Sequence, residues 1–130
     1  MPSTTELVRQ IDVAVEDEEV WVVASAETVK IDPSTGAIDL TVPVGGGSDG
    51  GIALTKDKVW LRSTKTFLTR IDRATADVID DENTAAYAEI AGRLTSGGDI
   101  VAGFGSMWTS AYDDRKLFRI SAGDPSATPA

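Results

Sequence analysis

Three segments of the chain line up on one another, and this internal repeat constrains the fold more than any other feature. They are "DVAVEDEEVWVVAS" (residues 12–25), "GIALTKDKVWLRS" (51–63) and "DIVAGFGSMWTSA" (99–111). Each reads as a short apolar strand, a polar or glycine turn, and a second strand carrying one tryptophan: Trp21, Trp60 and Trp108. Some ten to twelve residues beyond each tryptophan stands an isoleucine preceded by a basic residue, giving Lys30-Ile31, Arg70-Ile71 and Arg119-Ile120. In the first unit an alternating run, "IDLTVPV", supplies a fourth strand, and "GGGSDGG" leads into the next unit. Four short antiparallel strands over about 40 residues is the size of a propeller blade.

The expected fold is therefore all-β, with about three blades per chain. The blades fall at about 11–46, 49–95 and 97–121, and residues 122–130 read as a flexible tail. The tryptophans stand 39 and 48 residues apart, so the second unit is the longer one. Its extra length falls in residues 80–95, where "NTAAYAEIAGRL" places Tyr87, Ile90, Ala91 and Leu94 at helical spacing. A helical turn and a longer outer strand both fit there. The third blade lacks an obvious outer strand, which residues 4–10 or another chain would supply.

"VKIDPSTGAI" (residues 29–38) is the hairpin between the third and fourth strands of the first blade. Asp32 suits the first turn position, Pro33 fixes φ at the second, and Gly36 tolerates the left-handed conformation that rejoins the strands. Ser34 and Thr35 have no base to activate them, because the chain contains no His and no Cys.

That absence removes disulfides, thiolate and imidazole metal ligands, and the Ser-His-Asp arrangement, and it argues against catalysis. A net charge of -9 repels phosphate backbones and anionic lipid, so neither nucleic acid nor membrane is an expected partner. No basic n-region with an apolar h-region opens the chain, which points to the cytoplasm, or to a secreted protein if this is a piece of one.

"VWVVASAETVKIDPSTGAIDLTVPVGGGSDGGIAL" resembles the YVTN-type repeats of bacterial β-propellers, and "SGGDIVAGFGSMWTSAYDDRKLFRI" is similar to blades of the streptogramin (virginiamycin B) lyase-like propellers. The resemblance spans nearly the whole chain and implies the propeller fold, which serves enzymes, sensor domains and binding scaffolds alike. For the lyase members it also implies a histidine and a magnesium ion. The loop that carries the histidine there corresponds here to Ser48-Asp49-Gly50-Gly51.

Closed propellers usually have four to eight blades. Three blades leave two blade faces uncovered, and two copies would close a six-bladed ring, so a homodimer is the expected partner state. A fragment of a longer propeller, such as a sensor domain, is the alternative. The expected ligand surface is the channel mouth, formed by Gln10, Asp12, Asp49, Gly50, Gly51, Gly98 and Asp99. It would take a small molecule or a peptide. No cofactor is required, although Asp12, Asp49 and Asp99 are the carboxylates that a divalent cation would use for a lyase- or hydrolase-like enzyme. Trp21, Trp60, Trp108, Ile31, Ile71 and Ile120 are expected to pack between blades, and Glu16 to Glu19 to form a solvated turn.

Overall fold

The computed structural model describes residues 10–45, 50–63, 67–79, 99–111, 116–121 and 127–129. Among the described residues, eleven strands form three antiparallel sheets. The first sheet is β1 (Gln10–Glu16), β2 (Glu19–Ala24), β3 (Thr28–Ile31) and β4 (Ile38–Val42), in that order. The second is β5 (Gly51–Leu54), β6 (Lys58–Ser63) and β7 (Phe67–Asp72). The third is β8 (Ile100–Gly103), β9 (Ser106–Ala111), β10 (Lys116–Ser121) and β11 (Ala127–Pro129). Each sheet is a meander, the strand order of a blade.

Two sequence expectations change. Residues 127–129, expected as tail, form the fourth strand of the third blade, with Phe118 opposite Pro129 and Ile120 opposite Ala127. Neither residues 4–10 nor a second chain is needed for that position. A proline is tolerated there because β11 is an edge strand. In the second blade the fourth position opens with a bridge from Val78 to Ile71. The helical turn or outer strand expected at 80–95 lies outside the described residues.

The turns follow the sequence chemistry. Asp32 Oδ1 accepts the amides of Ser34 (2.7 Å) and Thr35 (3.2 Å), and Gly36 takes a φ of 76°. The second blade repeats the device: Asp72 Oδ1 accepts from Ala74 (2.9 Å) and Thr75 (3.0 Å), with Ala76 at a φ of 65°. The β1–β2 hairpin turns on Asp17 and Glu18, and the β8–β9 hairpin on Phe104 and Gly105, all four at positive φ as in type I′ turns.

Pairing register assigns every strand residue to one of two blade faces. Ala14, Trp21, Lys30 and Leu40 stand in one row of the first blade. Trp21, Val23 and Val42 pack against Ile52, Leu54, Val59, Leu61 and Ile71 of the second. The second blade's opposite face carries Ala53, Trp60 and Leu68 onto Ile100, Met107, Phe118 and Ile120 of the third. Arg62, buried on the same face, donates from Nη2 to the Ser110 carbonyl at 3.4 Å. In both interfaces the tryptophan-bearing face of one blade meets an apolar face without tryptophan on the next.

Candidate functional site

The three inner strands β1, β5 and β8 lie side by side. They line an open groove of about 390 Å³ built from Asp12 to Glu16, Ile52 to Leu54 and Asp99 to Ala102. The carboxylates of Asp12, Glu16 and Asp99 stand at its ends, and aliphatic side chains between them. This is the position of a propeller's channel wall, with two of the expected mouth residues, Asp12 and Asp99, at one end.

Those two aspartates converge on Gly51 and Ile52. Asp12 Oδ1 accepts the Val13 amide at 2.9 Å, and its Oδ2 accepts the Ile52 amide of the next blade at 3.2 Å. Asp99 Oδ1 accepts the Ile100 amide at 2.8 Å. Its backbone is held by the Ser110 hydroxyl, which accepts from Asp99 N at 3.0 Å, and by Thr109 Oγ1, which donates to Asp99 O at 2.8 Å. A Cβ at Gly51 would lie 2.8 Å from Asp99 Oδ1, so any larger residue there would require the carboxylate to shift. Asp12 and Asp99 are thus amide acceptors at the starts of inner strands. Asp12 belongs to β1 itself, with a register irregularity between Gln10 and Asp12. Gly50 directly precedes β5. Gln10 pairs with Ala24 at the start of β1, and Asp49 and Gly98 lie outside the described residues.

The magnesium centre implied by the lyase resemblance does not fit what is present. The histidine has no counterpart in the sequence. The Asp12 and Asp99 carboxylates are turned onto backbone amides, and no group of three or more Asp or Glu with ligating spacing occurs among the described residues.

Glu16 to Glu19 is more than a solvated turn. Asp17 and Glu18 form the exposed tip, but Glu16 and Glu19 hold Arg73 of the second blade. Arg73 Nη1 lies 2.7 Å from Glu16 Oε2, its Nε 3.0 Å from Glu19 Oε1, and it also donates to the Glu16 and Thr55 carbonyls. Burial alone would raise the Glu19 pKa, but hydrogen bonds from Trp21 and Arg73 and the charges of Arg73 and Lys30 hold it below the ordinary glutamate value. Burial likewise works against the Arg73 charge, and Glu16 and Glu19 outweigh it. Arg73 carried no sequence signal, because the aligned residue in the first blade is Pro33.

Trp21 and Trp60 are fully buried between blades. Trp108 is only partly buried and stands on the third blade's outward face, with Val101 opposite it in register. Ile71 and Ile120 lie in the two inter-blade cores. Ile31 lies on the first blade's outward face, in the row of Val15 and Val20.

The chain matches no protein-family model and no curated protein sequence. Solved structures share its fold. It is similar to the hydrazine synthase of Kuenenia stuttgartiensis, with a TM-score of 0.72, 10% identity, and coverage of 99% of this chain and 37% of that one. It is similar to BamB from Moraxella catarrhalis, with a TM-score of 0.64 and 14% identity over 91% of this chain and 34% of that one. U3-55K gives a TM-score of 0.66 and 10% identity over 96% and 39%. The chain has a β-propeller-type fold and spans roughly a third of these structures.

Proposed function

We propose that this chain is a non-catalytic binding or scaffold module of the YVTN and streptogramin-lyase-like propeller type. Its three blades join a second copy to form a six-bladed ring with a ligand surface at the channel mouth. One observation carries the reading: residues on the two end faces are sequence counterparts of residues buried between blades. Val13 is 55% exposed where its counterpart Ile52 is 4%, and Val15 is 69% exposed where Leu54 is 6%. At the other end, Val101 is 58% exposed where Ala53 is 6%. Exposed apolar side chains at these counterpart positions are what a neighbouring blade would cover, whereas Val29 and Ile31 on the same face of blade one are already buried. The mouth around Asp12, Gly51 and Asp99 is acidic, which suits a small cationic molecule or a peptide.

The solution mass tests this. A particle of twice 13.7 kDa is expected from light scattering or native mass spectrometry, and a stable monomer overturns ring closure. The monomer would favour the second reading, a part of a longer propeller whose further blades cover the same faces. That reading draws on the chain's spanning about a third of similar structures.

A further inference from the structure

We infer that the tip of the β8–β9 hairpin is a docking anchor for a second protein. Phe104 enters an apolar pocket of that partner, and lysine or arginine on the pocket's rim faces Asp17 and Glu18 of the first blade. The surface is separate from the mouth and does not depend on ring closure. Asp12 reaches the Ile52 amide, and Asp99 stands beside Gly51. The inner strands β1, β5 and β8 therefore start together at the mouth, and the hairpins that follow them share the opposite end.

Two of these hairpin tips are charged. Blade one presents Asp17 and Glu18, and blade two Lys56 and Asp57, all exposed. The third tip differs. Residues 100–111 hold no Asp, Glu, Lys or Arg, in a chain that is 25% charged. Phe104 is fully exposed at the turn, and Val101 and Ala102 are exposed on the strand leading to it.

Nothing within the chain accounts for a phenylalanine there. Its phenyl ring is buried against nothing, and its φ of 54° is one that asparagine adopts more readily. What a projecting aromatic supplies is contact area, and an aromatic seated in a partner's pocket carries a large share of a binding energy. Approach is open, because a Cβ built at Gly103 or Gly105 would meet nothing within 4 Å. A side chain that projects from a hairpin tip cannot enclose a small molecule, so the concavity belongs to the partner. Charge decides its rim. Against a bilayer Asp17 and Glu18 would lose water with nothing to replace it, whereas opposite basic residues of a protein they steer association.

The probe is a disulfide-closed random peptide library displayed on phage, selected on the unmutated chain and counter-selected on Phe104→Asn. That substitution suits the turn, so lost binding reports the missing phenyl ring and not unfolding, and circular dichroism checks this. The expected peptides combine aliphatic or aromatic residues with Lys or Arg, and their affinity falls at least about tenfold on Phe104→Asn. The double change Asp17→Asn and Glu18→Gln should weaken them by about threefold, mainly through slower association. If no selected peptide depends on Phe104, the proposal fails. It fails equally if the peptides that depend on Phe104 are indifferent to the change at Asp17 and Glu18. Vesicles of phosphatidylcholine form the second arm: co-sedimentation of the unmutated chain but not of Phe104→Asn would make the tip a lipid contact and overturn the protein partner. A solution mass that changes with Phe104→Asn would overturn it in favour of a contact between copies. The peptide and vesicle readouts do not require a particular number of chains in the particle, so this proposal and the ring reading fail separately.

Discussion

Arg73 and Glu19 join the first two blades through a single oxygen. Glu19 Oε1 accepts from Arg73 Nε at 3.0 Å and from the Trp21 indole at 2.9 Å. One carboxylate therefore orients the tryptophan of its own blade and anchors the turn of the next. Lys30 Nζ lies 3.9 Å away and adds to the balance of charge. The arginine is buried, whereas Glu16 and Glu19 keep partial access to water. The cost of desolvation falls mainly on Arg73, which offsets it with four hydrogen bonds.

Arg73→Met keeps the volume and removes the donors. Glu16, Glu19 and the Thr55 carbonyl then lose a partner, and the substitution should cost about 2–3 kcal/mol. That is below the range for a fully buried pair, because the carboxylates can partly rehydrate. Urea unfolding measures the loss. Glu19→Gln in a double-mutant cycle should recover a coupling of about 1 kcal/mol with Arg73.

Acid should loosen the same contact. The folded pKa of Glu19 lies below its ordinary value of 4.5. Its contribution is therefore fully present above that value and is lost as pH falls through the folded one. Asp72, held low chiefly by the Thr75 amide, acts in the same direction from the surface. The thermal midpoint should fall as pH drops below about 4.5, and Glu19→Gln should flatten part of that fall. A variant that keeps the full wild-type slope would exclude Glu19 as its source.

Phe104 presents a large aromatic side chain to solvent at the tip of the β8–β9 hairpin, with a φ of 54°. A bulky residue pays a steric cost in that region, whereas asparagine is tolerated there and forms the favoured Asn-Gly pair with Gly105. Phe104→Asn should raise stability by about 0.5–1 kcal/mol, read from the urea midpoint. A loss of stability would mean that positive φ carries no steric cost for phenylalanine at this turn.

Much of the architecture was legible because the repeat carries its own alignment. The tryptophan strands, the Asp32 turn and the inner strands all follow from strand alternation and turn chemistry. Ala127 to Pro129 was not legible, since three residues with a proline show no alternation, and only the exposed edge of β10 gives them a place. Arg73 was equally silent, because its partners lie in another blade and the aligned position is Pro33. At the mouth, sequence alignment brought Asp12, Gly51 and Asp99 to one rim. It could not reveal that both carboxylates are spent on amides, which depends on side-chain direction at the start of each strand.

In the ring proposed above, the same alignment would place an unfavourable contact at the junction between copies. Between blades two and three, Asp99 Oδ1 occupies the space beside Gly51 that a Cβ would need. Between blade three and the first blade of a second copy, Asp99 takes the place of Gly51 and Asp12 that of Asp99. Two carboxylates then face each other where the internal interface has one carboxylate and a glycine, and like charges at such a distance oppose association. Asp99→Gly removes both the charge and the Cβ, and should tighten the dimer by about tenfold, or 1.4 kcal/mol. Asp99→Asn, which keeps the volume, should give only part of that gain. Sedimentation velocity over a concentration series reads the constants directly. If Asp99→Gly leaves the constant unchanged, the junction between copies does not repeat the geometry within the chain.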